Sequence, residues 1–418
     1  MREQIEGSRA VARAVAGARP QVICAYPISP QTHIVEELSR LVKAEELVSE
    51  YVNVESEFAA MSVAIGASAT GARAYTATSS QGLLYMVEPI YNASGMRLPI
   101  VMTVANRAIG APINIWNDHS DAMSQRDSGW LQLYAEDNQE AADLHVQAFR
   151  IAEQLSVPVM VCMDGFVLTH AFEEVDVPEQ EQVDAFLPPF SPRQRLDPDE
   201  PVTMGAMVGP EMFTEVRYLA HQVQLDALEV IERVSGEFRS VFGRESGGLV
   251  RPYRTAGAET VVIALGSVLG TLKDAVDDAR AAGERLGVLG ITSFRPFPYD
   301  AVRAALADAR RVVVLERAFA PGVGGIVTQD VTTALAGSGA EVTTVVAGLG
   351  GRPITQGALL GMLDDVLAGR LGPLTFLDLD REVVEREIAR DRAERRARAE
   401  VPGRAGPRGR ADAVGAAR

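Results

Sequence analysis

Four polar side chains within the first 110 residues follow predicted strands and could contribute to a ligand site. They are those of Ser29, Glu57, Gln81 and Arg107. Arg107 directly follows an apolar run, and a guanidinium in that position can bind a carboxylate through two parallel hydrogen bonds. Ser29 lies between two prolines that stiffen its loop, and Gln81 lies in a small polar turn. The set predicts a ligand site that includes a carboxylate-binding group.

Each of these residues also has an ordinary structural explanation. Ser29 before Pro30 suits the start of a helix. Ser56 followed by Glu57 is typical of a capped helix whose first turn carries an acid. The turn around Gln81 has common loop composition, and Arg107 could form an internal ion pair. From the residues alone, both explanations stay open.

The elements around these residues predict an α/β fold. Short apolar runs alternate with segments of helical period, which is typical of a parallel sheet with helices on both faces. The candidate residues follow the ends of predicted strands, where open parallel sheets form their ligand crevice. The predicted strands of this part of the chain cover residues 22–25, 51–54, 72–77, 98–104 and 157–163.

The chain is long enough for two domains. We predict a first domain over residues 1–180 and a second α/β domain over residues 256–375. Residues 181–255 between them are predicted to hold a connecting loop and a long amphipathic helix at 213–242. The loop itself is expected over residues 171–205, which are rich in proline and acids. Residues 376–418 form an Arg-rich tail that is predicted to start helical and to end disordered.

Composition excludes several classes of function. The net charge of −16 disfavours nucleic-acid binding. No apolar run reaches the roughly 18 residues of a membrane helix, and the polar start of the chain lacks a secretion signal, so a cytoplasmic location is expected. The five histidines fit no metal-ligand spacing, and no metal site is predicted in this chain. Its two cysteines cannot supply the roughly four ligands of an iron–sulfur cluster.

Taken together, the segments resemble the α subunits of the pyruvate:ferredoxin oxidoreductase (pyruvate synthase) family, within the 2-oxoacid:ferredoxin oxidoreductases. The resemblance covers roughly residues 5–370 and leaves out the tail. The matching segments are residues 26–32 (Tyr-Pro-Ile-Ser-Pro-Gln-Thr), 54–57, 77–83, 104–107, 117–118, 125–127, 162–166, 169–170 and 348–352.

This resemblance implies a fold and roles for the candidate residues. The first domain is expected to be the pyrimidine-binding domain of a thiamine-diphosphate enzyme, and the second to resemble the C-terminal domain of transketolase. Glu57 is implied as the catalytic carboxyl that hydrogen-bonds the cofactor's pyrimidine ring, with Gln81 also binding the cofactor. Ser29 and Arg107 are implied to bind the substrate carboxylate. The family more often has threonine at the position of Ser29.

The resemblance also implies partners. A β subunit is expected to hold Mg²⁺ and the diphosphate, because this chain has no Gly-Asp-Gly motif. Subunits of γ and δ type are expected to carry the iron–sulfur clusters that pass electrons to ferredoxin, and coenzyme A is the expected acyl acceptor. The implied reaction is the reversible, CoA-dependent oxidative decarboxylation of pyruvate to acetyl-CoA and CO₂.

Three alternatives remain at this point. The same chemistry on a branched 2-oxoacid such as 2-oxoisovalerate would differ only in pocket size, which discriminates weakly. A lipoamide-linked dehydrogenase or a transketolase relative would share the fold but not the loop at residues 26–32. A non-catalytic assembly subunit would not need Ser29, Glu57 and Arg107 together.

Overall fold

Two mostly parallel sheets dominate the computed structural model of the chain, which describes residues 2–400. The strands are β1 (Arg2–Glu6), β2 (Val22–Ala25), β3 (Glu50–Asn53), β4 (Ala74–Thr78), β5 (Val101–Asn106), β6 (Leu131–Tyr134), β7 (Val159–Asp164), β8 (Phe172–Asp176), β9 (Val250–Tyr253), β10 (Thr260–Ala264), β11 (Leu286–Ile291), β12 (Ser293–Arg295), β13 (Arg311–Glu316), β14 (Glu341–Val346) and β15 (Leu374–Phe376).

Helices cover the faces of these sheets. They are α1 (Gly7–Gly17), α2 (Thr32–Lys43), α3 (Glu57–Ala69), α4 (Ser80–Tyr85), α5 (Val87–Gly95), α6 (Ser120–Ser124), α7 (Asn138–Leu155), α8 (Gln180–Phe186), α9 (Phe213–Phe242), α10 (Val268–Ala281), α11 (Tyr299–Ala305), α12 (Val327–Ala334), α13 (Gln356–Leu367) and α14 (Arg381–Glu400), with a short 3₁₀ turn at Leu349–Gly351.

The first sheet has seven strands in the order β12-β6-β7-β5-β4-β2-β3. All neighbouring pairs are parallel except β12 and β6. Its central strands β5 and β7 are buried along their whole length, which explains their nearly continuous apolar sequences. The α/β fold class predicted from the sequence is confirmed.

The second sheet has six strands in the order β15-β14-β13-β10-β11-β9, with only β9 antiparallel. Two strands tie the halves of the chain together. β9 comes from the predicted connecting segment and pairs with β11, while β12 leaves the second half and pairs with β6 of the first sheet. Residues 1–377 accordingly form one compact unit.

A shared core joins the two sheets. One cluster of buried side chains contains residues from strands of both, among them Trp130 and Tyr134 of the first half and Phe294 of the second. The Tyr134 and Phe294 rings meet edge to face, with centroids 6.0 Å apart. The two halves are therefore held in one fixed arrangement around the ends of the strands.

The long helix α9 begins and ends where the sequence predicted. Its buried face consists of Ala227, Ile231, Val234, Phe238 and Phe242, at the three- and four-residue spacing of a helix stripe. The helix ends at Gly243, whose φ of 73° favours glycine.

The prediction of a loop over residues 171–205 was wrong in its first part. Strand β8 pairs with β1 in a two-stranded antiparallel ribbon. Helix α8 follows, with a reciprocal capping box between Glu179 and Gln182. Val183 and Phe186 of this helix are buried, so two apolar anchors outweigh the acidic composition that suggested a loop.

The tail begins as predicted, with the polar helix α14. Residues 378–400 belong to a separate unit from residues 1–377. The predicted disorder falls on residues 401–418, which lie outside the described residues. Across residues 2–400, each helix is either too short or too polar to cross a bilayer.

A buried histidine of α7 makes stability depend on pH. The ring of His145 contacts the Ala141 carbonyl at 2.6 Å and the Thr103 hydroxyl at 2.5 Å, and Tyr75 contacts the same hydroxyl. A neutral His145 ring satisfies these hydrogen bonds by donating to the Ala141 carbonyl and accepting from the Thr103 hydroxyl. Burial lowers the pKa of His145 from 6.5 to about 4, which keeps the ring neutral in the fold.

We expect stability to fall as the pH drops from 6.5 towards 4. In that window the unfolded chain binds a proton at this histidine that the folded chain does not. Thermal midpoints of wild type and His145→Gln, measured across this range, should converge at low pH. His221→Gln, at an exposed site on α9, is the control and should follow the wild type. Parallel curves for wild type and His145→Gln would contradict the assignment.

Candidate functional site

The four predicted site residues lie at one edge of the first sheet. Ser29 follows β2, Glu57 follows β3, Gln81 follows β4 and Arg107 follows β5. These strands are parallel neighbours in the sheet, so their carboxyl ends open on the same side. The structure thus places the four loops side by side.

Glu57 is the first residue of α3 and is buried. The Ser56 hydroxyl caps the helix by accepting from the Ala59 amide at 3.2 Å. Among the described residues, the Glu57 carboxylate has no hydrogen-bond partner. A buried carboxylate at a helix N-terminus without a partner is poised to bond a group that the protein does not supply.

The backbone of Gly82 lies directly against Glu57. A methyl group at this glycine would lie 2.6 Å from the Glu57 Oε1 atom and 2.5 Å from the Thr78 hydroxyl. Such distances are too short for non-bonded contact. The glycine therefore lets the turn after β4 close over the carboxylate.

We expect Gly82→Ala to lower kcat of the assembled enzyme about 10- to 100-fold, because the methyl group must push Glu57 aside. The control is Gly66→Ala on α3, the helix that begins with Glu57, where an added methyl group meets nothing within 4 Å. That variant should keep full activity. Steady-state kinetics and a melting curve of both variants check this, and normal kcat in Gly82→Ala would contradict the close contact.

Arg107 and Ser29 are in direct contact through the backbone. The Arg107 guanidinium donates to the Ser29 carbonyl at 2.9 Å and to the Asn114 carbonyl at 3.4 Å. The Ser29 hydroxyl has no hydrogen-bond partner among the described residues, and Ser29 is exposed. The two residues predicted to bind a carboxylate therefore lie together, and the Ser29 hydroxyl has no partner among the described residues.

Arg107 forms no ion pair within the described residues, which removes the internal ion pair considered from the sequence. It is 6% exposed, and its remaining N–H groups stay available for an external anion. Burial lowers the pKa of Arg107, with the Asp121 carboxylate acting in the opposite direction. A buried guanidinium that lacks a carboxylate partner favours binding of an anionic ligand.

Asp121 ties two of the site loops together, and sequence reasoning missed it. Its carboxylate accepts from the backbone amides of Ser80 at 3.0 Å and Arg107 at 2.9 Å, and from the Asn106 side chain at 2.8 Å. Burial raises the pKa of Asp121 to about 6, against these hydrogen bonds. A buried aspartate that holds loops from two strands had no signal in local sequence.

Within the described residues, the Gln81 side chain is hydrogen-bonded to its neighbour Ser80 and not to Glu57. Its side-chain oxygen accepts from the Ser80 hydroxyl, which also donates to the Ala108 carbonyl. Ser80 adopts a φ of 50°, an uncommon conformation for a serine. The backbone around Gln81 is therefore fixed, and its side chain lies half-buried at the same edge.

A buried charge cluster joins the site to the second sheet. Asp164, at the end of β7, contacts His119 at 2.6 Å and Arg317 at 2.8 Å, and accepts from the Ser267 amide at 2.9 Å. Burial alone would raise the pKa of Asp164, but His119 and Arg317 together hold it below its usual range. Asp164 thus joins the end of β7 to Ser267 and Arg317 in the second half of the chain.

The predicted turn at residues 348–352 packs on the loop after Arg107. The Asn114 side chain donates to the Gly350 carbonyl at 3.1 Å, and the Gly350 amide donates to Asp118 at 3.2 Å. A methyl group at Gly351 would lie 2.3 Å from the Trp116 Cβ atom. Close packing explains the glycines of this turn.

Several buried polar atoms at the strand ends lack partners among the described residues. They are Gln31 Oε1, Thr78 Oγ1, Ser79 Oγ and Asn106 Oδ1. Together with the Glu57 carboxylate, they offer acceptors and hydroxyl groups next to β2, β4 and β5. A polar heteroaromatic ring of the aminopyrimidine type fits such a set, because it carries both donors and acceptors.

Family models match both halves of the chain. Residues 13–235 match the model described as "Pyruvate flavodoxin/ferredoxin oxidoreductase, thiamine diP-bdg". Residues 258–358 match "Pyruvate:ferredoxin oxidoreductase core domain II". The two matches divide the chain near the end of α9.

Curated relatives extend over most of the chain. The pyruvate synthase subunit PorA of Methanosarcina barkeri is 49% identical over 390 residues, which cover 91% of this chain and 97% of the relative. PorA of Methanocaldococcus jannaschii is 50% identical over 76% of this chain and 83% of its own. The ketoisovalerate oxidoreductase subunit VorA of Pyrococcus abyssi is 40% identical over 88% of this chain and 93% of its own.

Solved structures share the fold at lower identity. The 2-oxoglutarate:ferredoxin oxidoreductase from Magnetococcus marinus superposes with a TM-score of 0.64 and 19% identity, over 87% of this chain and 65% of that one. A split-gene transketolase gives 0.52 and 16%, over 88% and 100%. On the family models and the curated relatives together, the chain belongs to the pyruvate flavodoxin/ferredoxin oxidoreductase family, as the sequence motifs predicted.

Proposed function

We propose that this chain is the α-type subunit of a heteromeric pyruvate:ferredoxin oxidoreductase. The complex oxidises pyruvate with coenzyme A to acetyl-CoA and CO₂, and it passes the electrons to ferredoxin in a reversible reaction. The observation that carries this proposal is a pair of buried groups at one sheet edge. Among the described residues, the Glu57 carboxylate has no hydrogen-bond partner and the Arg107 guanidinium has no ion-pair partner. The PorA relatives, at 49% and 50% identity, support pyruvate as the substrate.

Glu57 is proposed as the residue that bonds the pyrimidine ring of thiamine diphosphate. When bound, this cofactor supplies the group that stabilises the carbanion left by decarboxylation. The Glu57 carboxyl would hydrogen-bond a nitrogen of that ring, and the Gly82 turn keeps the side chain in place. The Gln81 backbone belongs to the same turn, which supports its predicted cofactor contact.

Arg107 and Ser29 are proposed to orient the substrate. The free N–H groups of Arg107 bind the pyruvate carboxylate, and the exposed Ser29 hydroxyl donates to the same group. Because Arg107 also holds the Ser29 carbonyl, the two donors converge without a further ordering step. Such preorganisation contributes several kcal/mol to catalysis in well-oriented sites.

The remaining components belong to partner chains in this proposal. Both cysteines of the chain are buried, and burial raises the pKa of Cys24 to about 12, so neither thiol is a ready cluster ligand. Iron–sulfur clusters are therefore assigned to γ- and δ-type subunits, and the Mg²⁺ and diphosphate to a β subunit. The Asp164 carboxylate pairs with His119 and Arg317, so Asp164 is not proposed as a metal ligand. A cytoplasmic location remains part of the proposal.

The test is a substrate panel on the co-purified complex. We expect CoA-dependent reduction of ferredoxin with pyruvate, at a kcat/KM at least roughly tenfold above that with 2-oxoisovalerate or 2-oxoglutarate. Preference for 2-oxoisovalerate would keep the mechanism and assign the chain to the VorA type, whose relative is 40% identical. An intact, cofactor-loaded complex that is inactive on every acid would leave this chain with an assembly role.

A further inference from the structure

Three residues far apart in the sequence form a cluster of metal-ligating side chains outside the site described above. Glu6 ends β1, His33 lies in the first turn of α2, and His170 lies between β7 and β8. One donor atom from each lies within 4.8 Å of the other two. Positions 6, 33 and 170 form no sequence motif, which explains why no metal site was predicted.

The geometry already brings two of the donors together. The Nδ1 atom of His33 lies 2.6 Å from a Glu6 carboxylate oxygen, which is a hydrogen-bond distance. Zinc ligands at about 2.0–2.2 Å put donor atoms roughly 3.4 Å apart. A metal ion would therefore replace the shared proton, with the Glu6–His33 pair opening slightly and His170 moving closer.

His170 is held in a position that suits a ligand. Its Nδ1 atom contacts the Thr169 hydroxyl at 2.7 Å, which leaves Nε2 free. A neutral imidazole with its second nitrogen hydrogen-bonded is the usual form of a histidine ligand.

Access and charge also fit a cation. Glu6 is buried, while the His33 side chain is 45% exposed, so an ion and a water ligand can reach the cluster from solvent. Within residues 2–400, the cationic side chain in contact with the cluster is that of Arg9, which lies 3.7 Å from the second oxygen of Glu6 and is itself 57% exposed. A charge this exposed is well screened.

We propose that Glu6, His33 and His170 bind one divalent transition metal of the zinc class. Two imidazoles and one carboxylate form a donor set that zinc takes with water as the fourth ligand. Nitrogen donors disfavour calcium and magnesium. This inference does not depend on the proposed activity.

Metal binding would also brace the substrate loop. His33 lies four positions after Ser29, and the His33 and His170 rings are 4.7 Å apart. The series continues through Phe166 to Trp116, at 4.8 and 4.7 Å. The ion would thus connect the β1–β8 ribbon to the start of α2, at the base of the loop that carries Ser29.

The test uses the full chain, purified with a tag that contains no histidines. Zinc affinity is measured by competition with a chromogenic chelator, and cobalt is used as a visible-absorption probe of the ligand set. We expect one ion per chain, and affinity losses greater than about 100-fold in His33→Gln and His170→Gln. His221→Gln, on α9 and outside the cluster, should bind like the wild type.

Two further measurements test the same metal site. Thr169→Val should weaken binding by about 10- to 100-fold through the orientation of His170, although it also removes the acceptor of the Phe166 amide. Affinity should also fall as the pH is lowered, because the ion displaces a proton. His33 is exposed, so its variant is expected to fold even if His170→Gln does not. A wild type without saturable binding, or unchanged affinity in His33→Gln, would overturn the proposal.

Discussion

Glu57→Gln is expected to lower kcat for pyruvate oxidation by about 10²- to 10⁴-fold, the range associated with loss of a proton-sharing group. Glutamine fills the same space at the start of α3 and keeps a hydrogen-bonding oxygen, but it cannot hold and release a proton. Because the Glu57 carboxylate has no protein partner within residues 2–400, its loss should leave stability nearly unchanged. The measurement is ferredoxin reduction by the assembled complex with saturating cofactor and pyruvate.

The matched control for this variant is Glu55→Gln, two residues earlier and exposed. It removes the same charge from the same loop and should keep wild-type kcat. A melting curve separates chemistry from folding. If Glu57→Gln retained more than about a tenth of wild-type kcat, the role of Glu57 as the cofactor's proton partner would be wrong.

Arg107→Lys is expected to raise KM for pyruvate and to lower kcat/KM. Lysine keeps the charge but loses the planar fork that binds a carboxylate in two places. Loss of one hydrogen bond to a charged group costs about 1.5–3 kcal/mol, which corresponds to roughly 10- to 150-fold in kcat/KM. Initial rates over a wide range of pyruvate concentrations measure both parameters.

Arg97→Lys is the control for Arg107→Lys. Arg97 is partly buried, which lowers its pKa. Among the described residues, its side chain donates only to backbone carbonyls, those of Leu155 and Ser156. Its variant should keep KM. If Arg107 only braced the Ser29 carbonyl, its variant would melt earlier and lose kcat at an unchanged KM, and that pattern would falsify substrate binding by Arg107.

The sequence was sufficient for features whose signal is local. Apolar residues at regular spacing indicate helix α9, and its predicted bounds match the observed ones. The loops with Ser29, Glu57, Gln81 and Arg107 could be placed because each follows an apolar strand. The resemblance then gave these residues roles, which remain predictions to be tested by the variants above.

The features that were not predicted depend on contacts between residues far apart in the sequence. Helix α7 was not predicted, because it is buried almost all round and carries polar residues such as Asp143 and Gln147 inside the fold. Asp121 reaches Ser80, 41 positions earlier, and Asp164 reaches Arg317, 153 positions later. Neither carboxylate has a local pattern that distinguishes it from an exposed aspartate. Such contacts become visible only when the sheet brings the strand ends together.

The three residues of β12 have a consequence for synthesis of the chain on the ribosome. Strand β6 is made early, but its outer edge is covered only when residues 293–295 have emerged. Until then, a nascent first half exposes the unpaired edge of β6, and Asp164 lacks its guanidinium partner. Exposed edges invite pairing with other chains. The growing polypeptide therefore passes through a long interval in which this edge is open to pairing with other chains.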